Sequence, residues 1–202
     1  GYVEKILNPS FRSNKTYVPF RELNPRDRVR RGKTIEEIFD LMDHSYGGKM
    51  ALSLLLYEFT DNIYEHSEFS RAFIMAQNYP TKRFTEICFY DNGISIPGNF
   101  TKYNIPYEND KNAVKKAIEG TSTKDEFAER GWGINRLVEM FIEEANGEIF
   151  IASRNGGVYV DKNEPRLYKL GDTYKIHGTL VSLRISKSDI DIYPYIESKK
   201  SG

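Results

Sequence analysis

The feature that most constrains this chain is a leucine-rich stretch over residues 49–67 that contains neither proline nor glycine. Within it Leu52, Leu55, Leu56, Phe59 and Ile63 recur at intervals of three and four residues, which is the spacing of one face of an α-helix. The stretch therefore predicts a long helix with a buried apolar face. Such a face needs a second layer to cover it, and the rest of the chain must supply that layer.

Strand-like sequence supplies the second layer. Residues 71–77 and 83–90 are rich in aromatic and branched side chains, and Tyr79-Pro80-Thr81 between them indicates a hairpin. Residues 91–100, with two glycines and a proline, indicate a loop. Further strands are predicted at 148–153, 158–160, 166–169 and 178–185, and further helices at 34–44, 111–119 and 131–146. The order predicts an α+β fold, a two-layer α/β sandwich with helices on one face of a mixed, mostly antiparallel sheet.

The chain has 202 residues, enough for one medium-sized domain with its own core. Thr34 followed three positions later by Glu37 is a capping-box pattern, which predicts that a helix begins there. We therefore expect an N-terminal arm over residues 1–33 with one short strand near 16–20. The domain itself is expected over 34–190, and a C-terminal tail over 191–202.

Charge and cysteine content exclude several classes of function. The chain has 29 basic and 29 acidic side chains, so no overall field attracts nucleic acid. A basic stretch over 26–33 either contacts phosphate or an acidic partner, or is a solvated arm before a helix. No apolar run approaches the roughly 20 residues that cross a bilayer. The single cysteine, Cys88, cannot form an intrachain disulfide, which fits a reducing, cytoplasmic setting.

Three polar residues share one face of the predicted long helix. Glu58, Asn62 and His66 are spaced by four and lie beside the apolar stripe. A glutamate can orient and deprotonate a water or hydroxyl, and an asparagine oxygen is a hard ligand suited to Mg²⁺ beside a triphosphate. The histidine can contact phosphate or cap the helix end. Taken alone, polar residues at this spacing more often form a solvated helix face.

Two later motifs lie at strand ends. Asp91 follows a predicted strand and precedes Gly93, where a carboxylate can accept a hydrogen bond from the exocyclic amine of a base such as adenine. Asp-Asn-Gly is also a common turn. Gly178 and Thr179 begin the last predicted strand, and the threonine hydroxyl can reach a base or its bound water. By itself this pair indicates only the start of a strand.

A third motif precedes a predicted helix. Hydroxyl and charged residues from Thr121 to Arg130 lead into Gly131-Trp132-Gly133, after which an apolar stripe of helical spacing begins. The N-terminal amides of a helix, together with the positive end of its dipole, can bind phosphate. A single Gly-x-Gly turn is weak support for a phosphate site. The motif indicates such a site only together with the other three motifs.

In this order and at these separations, the four motifs resemble the signature boxes of the gyrase, Hsp90, histidine-kinase and MutL superfamily, over about residues 52–185. The resemblance implies the Bergerat ATP-binding sandwich of that superfamily. The histidine that ends the first box, and the lid from Thr121 to Gly133, are most similar to those of the anti-sigma-factor serine kinases. There are three departures from the pattern. Ser95 replaces the usual second glycine after the aspartate, and the lid lacks the glycine-rich start of many members of the superfamily. Residues 159–177 form an insertion longer than a tight hairpin.

The resemblance also implies roles for individual positions. Glu58 would be the catalytic general base or water-orienting residue, Asn62 would bind Mg²⁺, and Asp91 would bind the adenine amine. The remaining nucleotide contacts that it implies are those of His66, Gly93, Ile96, Thr123, Lys124, Arg130, Gly131, Trp132, Gly133, Ile134 and Thr179. ATP and Mg²⁺ are the implied cofactors.

The sequence leaves several functions open. The first is a kinase or ATP-driven switch that phosphorylates or binds a small regulatory protein. The second is an ATPase that clamps or dimerises, and the third is a module that binds nucleotide without turnover. The fourth is an interaction domain with coincidental motifs. A full sensor kinase is not supported, because His44 lacks the setting of a phosphoacceptor. We expect the first function, with a regulatory protein and a second copy of the chain as partners.

Overall fold

The computed structural model describes residues 15–42, 46, 48–120, 134–188 and 191. Within these ranges seven strands form a single sheet, and five α-helices pack on one of its faces. In chain order the elements are β1 (Tyr17–Leu23), α1 (Arg28–Met42), α2 (Lys49–His66), β2 (Ala72–Tyr79), β3 (Phe84–Asp91), α3 (Ile96–Lys102), α4 (Asp110–Ile118), α5 (Ile134–Ala145), β4 (Glu148–Arg154), β5 (Gly156–Val160), β6 (Arg166–Lys169) and β7 (Ile176–Ser186). Short 3₁₀ turns lie at Pro80–Lys82 and Asp172–Tyr174.

The sheet has the strand order β1-β2-β3-β7-β4-β5-β6. Each neighbouring pair is antiparallel, so the predicted α+β sandwich is confirmed and its described strands are antiparallel throughout rather than mixed. β7, the last of the described strands along the chain, lies between β3 and β4. This crossover places the end of β3 beside the start of β7, and it is the feature that assembles the site described below.

The long helix and the hairpin are confirmed. α2 buries all five of the apolar positions that predicted it, with exposures of 7% or less. Its Phe59 ring stacks on Phe89 of β3, with ring centroids 5.3 Å apart. Burial of each such side chain contributes about 1.5–3 kcal/mol to the free energy of unfolding. The helix layer is therefore held on the sheet chiefly by this apolar face.

The start of α1 corrects the prediction that a helix begins at Thr34. The helix begins at Arg28, where Asp27 Oδ1 accepts the backbone N–H groups of Val29 (3.0 Å) and Arg30 (3.3 Å). Thr34 lies well inside the helix, and its hydroxyl donates to the Arg30 carbonyl at 3.1 Å. A capping box and a buried interior threonine have the same local sequence, and the fold selects the second.

The predicted N-terminal arm corresponds, from residue 17 onward, to part of the sheet and of the helix layer. β1 pairs with β2 and buries Val18 and Leu23 in the common core. Because these two apolar side chains are buried in the core, β1 is part of the domain. The expected boundary at residue 34 falls inside α1. Residues 1–14 and, of the expected tail, all but position 191 lie outside the described residues.

The insertion over 159–177 contains β6, which forms one edge of the sheet and is exposed at all four positions. Among the described helices, none combines the length and apolar character needed to cross a membrane.

Candidate functional site

Three polar side chains form a row at one end of the sheet. Asp91 of β3 lies directly opposite Thr179 of β7, and Thr179 lies directly opposite Ser153 of β4. Side chains of directly opposite residues in antiparallel strands point to the same face. The positions two residues along the three strands are core residues: Phe89, Val181 and Ile151. The row therefore points into the helix-covered side of the sheet, at the margin of the core.

Asp91 is a buried carboxylate with a raised pKa. Its side chain is only 4% exposed, and burial raises its pKa to about 6 against the lowering effect of hydrogen bonds from Gly93 and Ser67. The Gly93 N–H donates to Oδ1 at 2.8 Å. The carboxylate is thus mostly ionised at neutral pH, and its lone pairs outnumber these two donors. It can accept a further hydrogen bond from a ligand.

Gly93 joins the loop after β3 to the end of α2. A Cβ at this position would lie 1.9 Å from the carbonyl oxygen of Ser67, so no other residue fits without a shift of the backbone. The Ile94 N–H donates to the same carbonyl at 2.6 Å, and the Ser67 N–H donates to the Ile63 carbonyl at 3.2 Å. The helix that carries Glu58 is therefore fixed beside the Asp91 loop.

Gly178 permits the close contact between β7 and β3. Its φ is +91°, and a Cβ there would lie 1.9 Å from the carbonyl oxygen of Asp91. The Ser153 hydroxyl donates to the Gly178 carbonyl at 2.8 Å. The predicted Gly-Thr motif thus has a specific structural basis, because only glycine allows Thr179 to lie opposite Asp91.

Ser153 is the site residue that the sequence analysis missed. It is fully buried, and its hydroxyl accepts the Ile96 N–H at 3.0 Å and lies 3.2 Å from the Thr179 hydroxyl. The signal that reveals it is the alternation of β4, which puts Ser153 on the same buried face as Ile149 and Ile151. A serine at an apolar position of a strand indicates a specific hydrogen-bonding role.

The segment predicted as a loop over 91–100 contains the first part of α3, which corrects that prediction. Ser95 caps this helix, since its hydroxyl oxygen accepts the Gly98 N–H at 3.2 Å, and Pro97 is in the first turn, where proline is favoured. The backbone of Ser95 has φ 73° and ψ 157°, a region occupied almost only by glycine. Glycine at this position would therefore be unstrained, whereas the serine supplies the cap.

Replacement of Ser95 by glycine is expected to raise the free energy of unfolding by about 1 kcal/mol. Glycine relieves a backbone strain of about 1–3 kcal/mol and forfeits only a few tenths of a kcal/mol of capping. Ser95→Ala keeps the strain and loses the cap, so it should lower stability by about 1 kcal/mol. Urea denaturation of both variants checks this. A glycine variant less stable than the alanine variant would show that the serine backbone is unstrained.

The predicted polar face of α2 lies on the flank away from α1. Glu58, Asn62 and His66 are half-buried on this face. The opposite flank of α2 is covered by α1. The Arg31 guanidinium of α1 pairs with the Asp61 carboxylate of α2 and lies over the Tyr57 ring. The structure therefore keeps the three predicted residues together and uses a different face of the helix for packing against α1.

The polar face of α2 is also adjacent to α5. Leu55, one turn before Glu58 on the same flank, lines a small cavity with Val138 and Phe141 of α5. At the start of α5, Asn135 Nδ2 lies 2.6 Å from where a Cβ on Gly120 would be, so the end of α4 contacts the start of α5. The predicted glycine-rich motif, which comes between these two helices along the chain, lies outside the described residues.

Of the other predicted nucleotide contacts, Ile96 borders the site, because it is the first residue of α3 and its N–H donates to Ser153. Ile134 is the first residue of α5. The others lie outside the described residues: Thr123, Lys124, Arg130, Gly131, Trp132 and Gly133. Their roles stay predictions.

The described residues contain no group of three or more His, Cys, Asp and Glu side chains that could hold a metal ion. A Mg²⁺ ion at Asn62 would therefore take most of its ligands from phosphate oxygens and water, which is the usual arrangement for this ion beside nucleotides. The donor chemistry of Asn62 fits that arrangement. No protein-family model matches the chain, and no curated protein matches it in sequence.

Proposed function

We propose that this chain is an ATP-binding domain that acts as a regulatory kinase or ATP-dependent switch on a protein partner. One observation carries the proposal. Asp91, a buried carboxylate that is ionised at neutral pH, lies directly beside Thr179 and is fixed to the end of the helix bearing Glu58 and Asn62. That combination supports a site for a base at one end and for phosphates at the other.

The chemistry of Asp91 fits the exocyclic amine of adenine. An ionised carboxylate accepts hydrogen bonds and cannot donate them, so it can pair with the 6-amino group of adenine. Thr179, whose hydroxyl lies 3.2 Å from that of Ser153, can donate to a ring nitrogen or to a bridging water.

The phosphate end of the site is assigned to α2. Asn62 is one turn from Glu58, so the two side chains project from neighbouring positions on one helix face. Bound Mg²⁺ would supply positive charge at the phosphates, with Asn62 as its protein ligand. Glu58 would hold the hydroxyl of a partner side chain, or a water, in line with the terminal phosphate and take its proton. The kinase assignment rests on the resemblance of the first motif and the lid, and hydrolysis is the alternative outcome.

Incubation with γ-labelled ATP, alone and with candidate partner proteins, tests the proposal. We expect ATP to bind in calorimetry, and the label to move to a partner hydroxyl. Glu58→Gln should slow turnover by roughly 10²–10⁴-fold, because it removes the proton acceptor, while ATP affinity stays within a few-fold. Label released only as inorganic phosphate would indicate the ATPase. Absence of binding would contradict the nucleotide site itself.

A matched control lies on the same helix. Glu65 is an exposed glutamate on nearly the same face as Glu58, two turns and about 10 Å further along the axis of α2. Glu65→Gln removes the same charge from the same helix and should leave turnover unchanged. Equal loss in both variants would mean that the effect of Glu58→Gln reflects the helix as a whole and not a general base.

A further inference from the structure

The exposed face of α1 carries charges that are separated along the helix axis. Arg30 and Lys33 lie in its first half, and Glu36 and Asp40 lie in its second half; all four are exposed. Their spacing of three and four residues places them on one ridge. Arg26, just before the helix, extends the basic end, and the basic stretch singled out in the sequence thus has a defined position.

The ridge differs from the rest of the charged residues of this region. On the inward side, Arg31 pairs with Asp61 and Arg21 pairs with Glu37. Arg30, Lys33, Glu36 and Asp40 form no ion pair within the described part of the chain. The charged side chains on the inward side of α1 are therefore paired, whereas the four of the ridge have no ion-pair partner among the described residues.

The charges of the ridge also oppose the helix dipole. Anionic side chains are favoured in the first turn of a helix and cationic side chains in the last. α1 has no acidic residue in its first turn and no basic residue in its last. The arrangement lowers the stability of the helix, so helix stability does not explain it.

We propose that this ridge is an interface between two copies of the chain, in which α1 packs antiparallel to α1 of the second copy. The proposal commits to a second copy because the two halves of the ridge are complementary to each other. With a two-fold axis near the middle of the ridge, Arg30 meets the partner's Asp40 and Lys33 meets the partner's Glu36. Arg30 and Asp40 are ten residues apart, about 15 Å along the helix, so both pairs form together.

The antiparallel arrangement is the one that the charges permit. A parallel pair would bring like charges together along the whole ridge, which is unfavourable. Val29, 72% exposed between the basic side chains, supplies an apolar contact within the interface. A two-fold axis of this kind makes the interface isologous, so the association closes at a dimer. Because the ridge faces away from α2, this inference is independent of the proposed function.

Charge-swapped variants test the interface. An acidic variant carries Arg30→Glu and Lys33→Glu, and a basic variant carries Glu36→Lys and Asp40→Lys. In sedimentation velocity at low ionic strength we expect the original chain to dimerise and each variant alone to dissociate at least about tenfold more readily. An equimolar mixture should form a heterodimer at least as stable as the original dimer. Raised salt should weaken both dimers, because the pairs are exposed.

The mixture distinguishes repulsion at this interface from misfolding of a variant. A misfolded variant would fail to associate in the mixture as well, and circular dichroism of each variant checks its fold. An original chain that stays monomeric at low salt overturns the proposal. So does a dimer that both variants retain, since the interface would then lie elsewhere. ATP titration of the variants should match that of the original chain, and a failure of ATP binding in all of them would bear only on the proposed function.

Discussion

Asp91→Asn is expected to abolish ATP binding while leaving the protein at least as stable as before. The asparagine side chain presents an amide that cannot replace both acceptor oxygens of the carboxylate, so we expect a loss of affinity of about 100-fold or more. Burial raises the pKa of Asp91 to about 6. A buried carboxylate with this pKa destabilises the folded state by up to about 3 kcal/mol at neutral pH, and the neutral amide removes that penalty.

The raised pKa of Asp91 makes both the stability of the protein and its affinity for ATP depend on pH. Asp91 loses its proton near pH 4 in the unfolded chain and near pH 6 in the folded one. The folded state therefore holds more protons between these values, and this contribution to stability is full below pH 4 and is lost as the pH rises to 6. The affinity for ATP should change in the opposite direction. It should rise up to about pH 6 and level off above, because only the ionised carboxylate binds the amine.

Calorimetric titration with ATP and urea denaturation across this pH range measure both effects. Thr179→Val is the matched comparison, since it removes only the neighbouring hydroxyl, and we expect a smaller loss of affinity, about tenfold. If Asp91→Asn bound ATP as tightly as the original chain, the base pocket would not be at Asp91. If the ATP affinity of Asp91→Asn depended on pH in the same way as that of the original chain, the conclusion would be the same.

Gly178→Ala is expected to lower the free energy of unfolding by at least about 3 kcal/mol. The added Cβ would lie 1.9 Å from the Asp91 carbonyl oxygen and 2.7 Å from its carbon. These are backbone atoms of the adjacent strand, so a side-chain rotation cannot relieve the overlap. The φ of +91° adds strain for any residue other than glycine. The pair β3–β7 must separate at the site, and ATP affinity should fall with it.

Gly171→Ala is the control for this substitution. At that position the nearest atom to an added Cβ is Tyr174 Cδ2 at 3.7 Å, an ordinary contact. Its φ of −64° suits alanine. We expect the unfolding free energy to stay within about 0.5 kcal/mol of the original, with a slight gain from the stiffer unfolded chain. Thermal and urea denaturation compare the two variants. Equal stability of both would show that β7 does not approach β3 as closely as described.

Local patterns predicted the elements well where one face of the element is buried. The five apolar positions of α2 give an unbroken helical period, and the hairpin of β2 and β3 has alternating strands around a proline turn. Patterns failed where two structures share one sequence. Thr34 suits both a helix cap and a helix interior, and the glycines and proline after Asp91 suit both a loop and the capped start of α3.

The site was predictable only in part, for the same reason. Asp91 and the pair Gly178-Thr179 were recognisable, because glycine beside a polar residue at a strand end is a local signal. Ser153 was missed, because the alternation of β4 places it on the buried face but does not identify the groups to which it bonds. Those partners, the Gly178 carbonyl and the Ile96 N–H, are 25 and 57 positions away along the chain.

The sequence by itself determined most of the helices and strands, though not α3 or the start of α1. It also determined the α+β class and the order of the four polar motifs, because side-chain periodicity and turn residues act over a few positions. Only the tertiary structure decided that β7 inserts between β3 and β4, and that insertion places Thr179 between Asp91 and Ser153. The tertiary structure also decided that Gly93 meets Ser67 at the end of α2. Strand order and register depend on the packing of the whole apolar face, a long-range property that no short pattern contains.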